Sequence, residues 1–183
     1  MPSVVGTSVL DLRAAYIQML GPEAVALAES QLPEPARRLL EELSPFSWVP
    51  IRAVMKPWIE ALGKEGQQTA DELFDEAVRL ATRRTLTTVW RLMLRLTSVE
   101  AIVKRTSALH RRSRNVGELV ATPMGEREVV VELTDYPEPT DRQVRSLAIS
   151  MVTILELTGR SEVEATYTQR LDGARYSVRW GQR

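Results

Sequence analysis

The chain has 183 residues, 44% hydrophobic and 26% charged, and its 24 basic residues balance its 24 acidic ones. This length and apolar content fit one domain with one core. Neither sign of charge dominates, so the overall charge gives no reason to expect nucleic acid or a membrane surface as a partner. The absence of cysteine excludes disulfides, thiolate metal sites and cysteine nucleophiles.

The N-terminal segment has neither a basic region nor an apolar run of the length found in secretory signals. No stretch of the chain approaches eighteen uncharged apolar residues, so no membrane span is expected. These two observations predict a cytoplasmic protein.

Apolar positions at helical spacing predict several helices in the first part of the chain. The first helix begins near Thr7 and ends at Gly21, and shorter helices follow, with a kink expected at Pro57. The longest helix is predicted from Thr69 to about residue 97. A further helix begins at Ser98 and ends just before residue 117.

From residue 117 onward the hydrophobic period changes from helical to two, which is typical of strands. Two strands are predicted first, and Thr140 then caps a helix that Gly159 ends. The closing segment reads as a hairpin joined by Asp172 and Gly173. We therefore predict an α+β fold in a single domain, residues 1–183. A helical half (1–116) precedes a ββαββ unit (117–183) that forms a four-stranded antiparallel sheet.

Two segments of the tail carry a family resemblance: "NVGELVATPMGEREVVVELTDYPEP" and "VRSLAISMVTILELTGRSEVEATYTQRLDGARYSVRW". Together they resemble the superfamily of haem-nitric-oxide-binding, vinyl-reductase-like and TRAPP-subunit domains. In length, in the basic stretch before the first strand and in the closing hairpin, the chain is similar to the myxobacterial paralogous family of unknown function. The resemblance implies helices followed by two hairpins around a helix, and a regulatory protein that binds a ligand.

The haem-binding members of this superfamily need an axial histidine before the first hairpin and a Tyr-x-Ser-x-Arg motif for the propionates. This chain has one histidine, His110, near that place, but the segment after the second strand reads "LTDYPEP" without the motif. The arginines around His110 favour an exposed helix end. A haem-based gas sensor acting through His110 is therefore kept as an alternative, and no cofactor or metal is otherwise expected.

Catalytic motifs are absent from the sequence. A serine-histidine pair would have to use His110, and no Gly-x-Ser-x-Gly elbow or glycine-rich phosphate loop is present. We therefore expect a protein that is not an enzyme.

Charge is distributed unevenly along the chain. Residues 79–114 contain ten basic side chains against Glu100 alone, a net charge of +9, whereas residues 118–141 have a net charge of −6. Such asymmetry predicts a basic docking face for an acidic protein partner or an anionic ligand. Its candidate residues are Arg83, Arg84, Lys104, Arg105, Arg111, Arg112 and Arg114. The alternatives are mutual neutralisation and a nucleic-acid binder using residues 79–114, but aromatic residues do not alternate with these basic ones, which disfavours nucleic acid.

Large apolar side chains of the long helix and the tail predict a ligand pocket. Its candidate residues are Trp90, Met93, Met151, Leu155, Tyr167, Tyr176 and Trp180. The alternative for each of them is ordinary core packing. The sequence as a whole predicts a non-enzymatic regulatory module, a homodimer that binds a small hydrophobic ligand or docks a protein partner. A purely structural interaction module is the rival.

Overall fold

The structure, a computed structural model, describes residues 1–66, 68–86 and 99–181, without the side chains of residues 99, 100 and 104. Its contacts divide the chain into two compact units, Met1–Ala81 (unit 1) and Thr82–Arg183 (unit 2). The boundary lies inside a helix and not at the predicted division between residues 116 and 117. The expectation of a single domain stays a prediction.

Unit 1 consists mainly of helices. In chain order its elements are β1 (Ser3–Val5), α1 (Gly6–Leu20), α2 (Pro22–Ser30), α3 (Glu34–Glu41), β2 (Trp48–Pro50), a π-helical turn (Ile51–Met55), α4 (Lys56–Glu65) and most of α5 (Ala70–Thr85). The sequence did not predict the antiparallel pair of β1 and β2, because strands of three residues are too short to show an alternating period.

Helix α5 begins where the sequence predicts it. The backbone N–H of Thr69 donates to the Glu72 carboxylate, and the N–H of Glu72 donates to the Thr69 hydroxyl. This reciprocal pair satisfies N–H groups that have no partner within the helix. The predicted continuation of the helix to residue 97 lies outside the described residues.

Unit 2 contains the four-stranded antiparallel sheet that the sequence predicts. Its elements are α6 (Val99–Ser113), β3 (Glu118–Gly125), β4 (Glu128–Thr134), α7 (Asp141–Leu157), β5 (Glu164–Arg170) and β6 (Gly173–Arg179). The strand order is β3-β4-β6-β5, so the second hairpin adds to the first through its last strand. The α+β fold class is confirmed.

One face of this sheet is covered by α6 and α7. Helix α6 packs on β3, and α7 packs on β5 and β6. The Thr140 hydroxyl caps α7 as expected, in a capping box with Gln143. The buried residues under the helices are Leu119, Val129, Val131, Leu133, Tyr136, Val144, Ala148, Leu155, Ala174, Tyr176, Val178 and Trp180.

The sequence predicts a Pro-Met-Gly turn (residues 123–125) for the first hairpin and an Asp172–Gly173 turn for the closing one, and both turns differ from that prediction. The closing turn is Leu171–Asp172, and Gly173 is already the first residue of β6, paired with Arg170. A Cβ atom at Gly173 would overlap the carbonyl oxygen of Leu133, so the glycine allows close approach of two strands. In the first hairpin, Pro123 lies inside β3, next to an irregularity in the register.

Candidate functional site

His110 lies in the last turn of α6 and is 4% exposed. Its ring atom Nε2 is 3.3 Å from the carbonyl oxygen of Val116. The expectation of an exposed helix end was wrong for this residue. Val103, Ser107 and His110 follow each other at spacings of four and three, so they share the helix face that packs on β3.

The imidazole of His110 is held in its neutral form. Burial lowers its pKa from the ordinary value near 6.5, the bond to the Val116 carbonyl raises it, and the positive charge of Arg114 lowers it further. The neighbouring hydroxyls are used by the backbone, since Ser107 donates to the Leu119 carbonyl oxygen at 2.5 Å and Ser113 donates to that of His110 at 3.1 Å. No hydroxyl among these is poised as a nucleophile for the imidazole.

Arg114 directly follows α6 and is half-buried. Burial lowers the pKa of its guanidinium, while the phenols of Tyr136 and Tyr176 raise it. In the part of the chain that the structure describes, the Arg114 guanidinium has no carboxylate within ion-pair distance. Arg114 was predicted on the exposed basic face, and it is half-buried instead.

The other predicted docking residues do not all come together. Arg105, Arg111 and Arg112 are exposed on α6, and none of them has a carboxylate partner among the described side chains. Arg83 lies on α5 instead, where it pairs with Glu156 of α7 at 3.5 Å. Arg84 is exposed beside Arg83 on α5, and the side chain of Lys104 lies outside the described residues. Helix α6 therefore carries three of the seven candidates as exposed side chains, and the docking face stays a prediction.

The acidic segment 118–141 does not neutralise these arginines. Its Glu132 pairs with Arg170 and Arg175 of the closing hairpin, at 3.7 and 3.6 Å. Glu128 pairs with Arg179 of the same hairpin at 3.0 Å, and this arginine lowers the pKa of the carboxyl. These ion pairs link β4 to β6 and, across β6, to β5. They leave Arg105, Arg111 and Arg112 of α6 without a carboxylate partner among the described side chains.

Five of the seven predicted pocket residues meet in the core of unit 2. Leu155, Tyr176 and Trp180 are buried there, with Met151 and Tyr167 packed against them. The rings of Tyr167 and Tyr176 lie 6.1 Å apart. Within the described residues these side chains form a packed core.

The Tyr176 hydroxyl is buried in this core and donates to the Val144 carbonyl oxygen at 3.2 Å. The remaining two pocket candidates, Trp90 and Met93, lie outside the described residues. The pocket that these seven residues would form stays a prediction.

An open groove at the far end of the sheet was not predicted. It has a volume of about 440 Å³ and is lined by Gly125, Glu126, Arg127, Glu128, Arg179 and Trp180. The Arg160 guanidinium lies 5.8 Å from the centre of a Trp180 ring, close enough for a cation–π contact. No sequence motif marks this groove, because its residues come from two segments that are fifty residues apart in the chain.

Among the described residues, no three histidine or acidic side chains are grouped so that they could hold a metal ion. No described helix is both long and apolar enough to cross a membrane.

Solved structures identify the fold. An Fe(II) unliganded H-NOX (haem-NO-binding) point mutant from K. algicida superposes with a TM-score of 0.73 at 9% identity, covering 97% of each chain. An oxygen-binding H-NOX domain related to soluble guanylate cyclases, in its oxygen complex, gives 0.71 at 10% identity, covering 97% of this chain and 95% of that one.

A third structure, from work on H-NOX activation, gives a TM-score of 0.74 at 10% identity over 97% of both chains. The chain has an H-NOX-type fold. Models of protein families give no match to it, and no curated protein matches its sequence. The likeness therefore shows the fold alone, and the fold is the one that the resemblance of the tail implied.

Proposed function

We propose that this chain is a non-enzymatic sensor module that binds a small hydrophobic molecule in an H-NOX-type fold and acts on a docked partner. The observation that supports this most is the likeness of fold to H-NOX domains over 97% of the chain. One of those structures is an Fe(II) unliganded form, and another is an oxygen complex. Oxygen binding by one of these H-NOX domains, which is related to soluble guanylate cyclases, is the reason to propose ligand sensing here.

We propose a module without catalytic activity because of the hydrogen bonds around His110. A hydrolytic or acid–base site would need this imidazole to face a hydroxyl or a substrate. Its Nε2 atom instead faces a backbone carbonyl, and the hydroxyls of Ser107 and Ser113 are bonded to the backbone. We therefore propose binding without catalysis.

Haem is the second candidate ligand, and His110 is the observation that favours it. The residue is buried, it lies on the helix before the first hairpin, and its lowered pKa keeps the neutral imidazole that binds metals. Two features oppose it. Nε2 is already engaged by Val116, and the loop after β4 lacks the Tyr-x-Ser-x-Arg motif. As they stand these residues do not fit a haem, so the first candidate is a ligand that needs no axial histidine.

An absorption spectrum separates the two candidates. The protein is expressed in bacteria supplied with a haem precursor, purified and scanned, and its organic extract is analysed by mass spectrometry. Our proposal predicts an extracted apolar molecule and no Soret band. A Soret band that His110→Ala abolishes, and that the exposed neighbouring variant Leu109→Ala keeps, would transfer the function to haem.

The docking part of the proposal concerns α6. We propose that Arg105, Arg111 and Arg112 contact an acidic partner, that the working form is a homodimer in the bacterial cytoplasm, and that the chain is a relative of the myxobacterial family named above. Three exposed arginines that have no carboxylate partner among the described side chains support the first of these statements. A docking partner would supply the missing negative charges.

A further inference from the structure

One end of unit 2 brings opposite charges together. Gly117, just after α6, has a positive φ of 84°, and a Cβ atom there would touch the ring of Tyr136. The backbone N–H of Tyr136 in turn donates to the carbonyl oxygen of Asp172 at 3.0 Å. The end of α6, the loop after β4 and the β5–β6 turn are therefore neighbours.

The basic half of this end is the last turn and a half of α6. Arg111 and Arg112 are exposed there, and neither has a carboxylate within ion-pair distance among the described side chains. Beside them Leu109 is 53% exposed. This half therefore offers two cations and an apolar side chain to solvent.

The acidic half is the loop and the turn. Asp135, Glu138 and Asp172 are exposed, and the backbone N–H of Glu138 fixes the loop to the turn by donating to the carbonyl oxygen of Leu171 at 3.0 Å. Asp135 and Asp172 have no ion-pair partner in the described part of the chain. Leu171, between these acids, is 90% exposed. The half thus repeats the pattern of the basic half with the opposite sign.

These two halves form what we call the bipolar end: Leu109, Arg111, Arg112, Asp135, Glu138, Leu171 and Asp172. In a two-fold dimer the same patch of both copies forms the interface. When the two-fold axis passes between the halves, the basic half of one copy meets the acidic half of the other. A patch with one positive and one negative half is complementary to itself under that symmetry. A patch of a single sign would repel its copy.

We propose that the bipolar end is a dimer interface in which the basic half of one copy contacts the acidic half of another. The inference rests on the docking part of the proposed function, because it identifies the acidic partner as a second copy of this chain. It does not depend on the ligand. An acidic peptide or a nucleic acid would use the basic half alone and would be repelled by the acids beside it. A second copy uses both halves and covers both leucines.

Charge reversal tests this interface. The variants are Arg111→Glu with Arg112→Glu, and Glu138→Lys with Asp172→Lys, each in the full chain. The matched control is Glu126→Lys with Arg127→Glu, which reverses exposed charges at the opposite end of the same sheet. Native mass spectrometry and light scattering give the oligomeric state, and circular dichroism confirms that each variant is folded.

The wild type and the control are expected to be dimers that dissociate as salt is added. Each reversed variant should raise the dimer dissociation constant about a hundredfold, because the two-fold axis counts every reversed residue twice. An equimolar mixture of the two reversed variants should recover a heterodimer, since each then offers the charge that the other lacks.

Three results would overturn the inference: a monomeric wild type, dimers that persist in both reversed variants, or a mixture that fails to pair. Reversed variants that do not fold leave the salt dependence and the wild-type state to decide it. The same native spectra show any bound ligand mass independently. If the interface fails and bound ligand is seen, the sensor proposal stands without the dimer. If the wild type is a dimer and carries no ligand, the interface stands and the sensor proposal fails.

Discussion

The Nε2 atom of His110 lies 3.3 Å from the carbonyl oxygen of Val116, six residues further along the chain. This contact ties the last turn of α6 to the segment that leads into β3. It buries the one titratable ring of this helix beside the half-buried guanidinium of Arg114. Protonation of the His110 imidazole is therefore coupled to the stability of the fold.

The first prediction concerns stability against pH. The pKa of His110 is lower in the folded protein than its ordinary value near 6.5, so the unfolded chain takes up the proton first. The stabilising contribution is complete above about pH 6.5 and is lost as the pH falls toward the folded pKa. Each unit by which folding lowers the pKa corresponds to about 1.4 kcal/mol.

The measurement is the free energy of unfolding in urea from about pH 7.5 to about pH 5, for the wild type and for His110→Gln. Carboxylates also titrate toward the lower end, so the difference between the two proteins carries the effect. The wild type should lose more stability on acidification than the variant. Parallel curves would show that His110 is not buried as described.

The second prediction concerns the sheet. Gly173→Ala places a methyl group against the carbonyl oxygen of Leu133 and should lower the free energy of unfolding by more than about 2 kcal/mol. Gly125 is the matched control, since a Cβ atom there meets nothing within 4 Å. Gly125→Ala should change stability by less than about 0.5 kcal/mol. Equal losses in the two variants would contradict the pairing of β4 with β6.

The third prediction concerns the core hydroxyl of unit 2. Tyr176→Phe keeps the ring and removes the bond to the Val144 carbonyl, which should cost about 1 kcal/mol of stability. Tyr167→Phe is the control, because its hydroxyl bonds to Asp141 at an exposed position. That loss should be within about 0.5 kcal/mol. Thermal unfolding of both variants checks the order of the two effects.

The fourth prediction concerns the ligand. Trp90→Ala should abolish retention of a bound molecule if the apolar side chains of the long helix and the tail line its pocket. Trp48→Ala, an exposed tryptophan of β2, should keep it. Ligand retained in both variants would place the site elsewhere in the fold.

Sequence reasoning predicted the sheet half of the fold well because its signals are local. The alternating residues of β4, the Thr140 cap and the glycine-marked closing hairpin each decide a structure within a few neighbours. The turn assignment at Gly173 failed for the opposite reason. What requires a glycine there is the Leu133 carbonyl, forty residues away in sequence.

The candidate site shows the same limit. Arg111 and Arg112 were expected on a basic face and are exposed. The charge pattern alone could not show that their neighbours differ, His110 being buried and Arg114 half-buried. The spacing from Val103 through Ser107 to His110 was the available signal. The bipolar end depends on the loop after β4 meeting the β5–β6 turn, which only the folded sheet brings together.

The most direct test of the sensor proposal is a native mass spectrum of the purified protein followed by a denaturing spectrum of the same sample. The account predicts extra mass in the native spectrum that is lost on denaturation, at a value that begins to identify the ligand. A native mass equal to that of the bare chain, or of two bare chains, in protein purified without detergent or denaturant would contradict it.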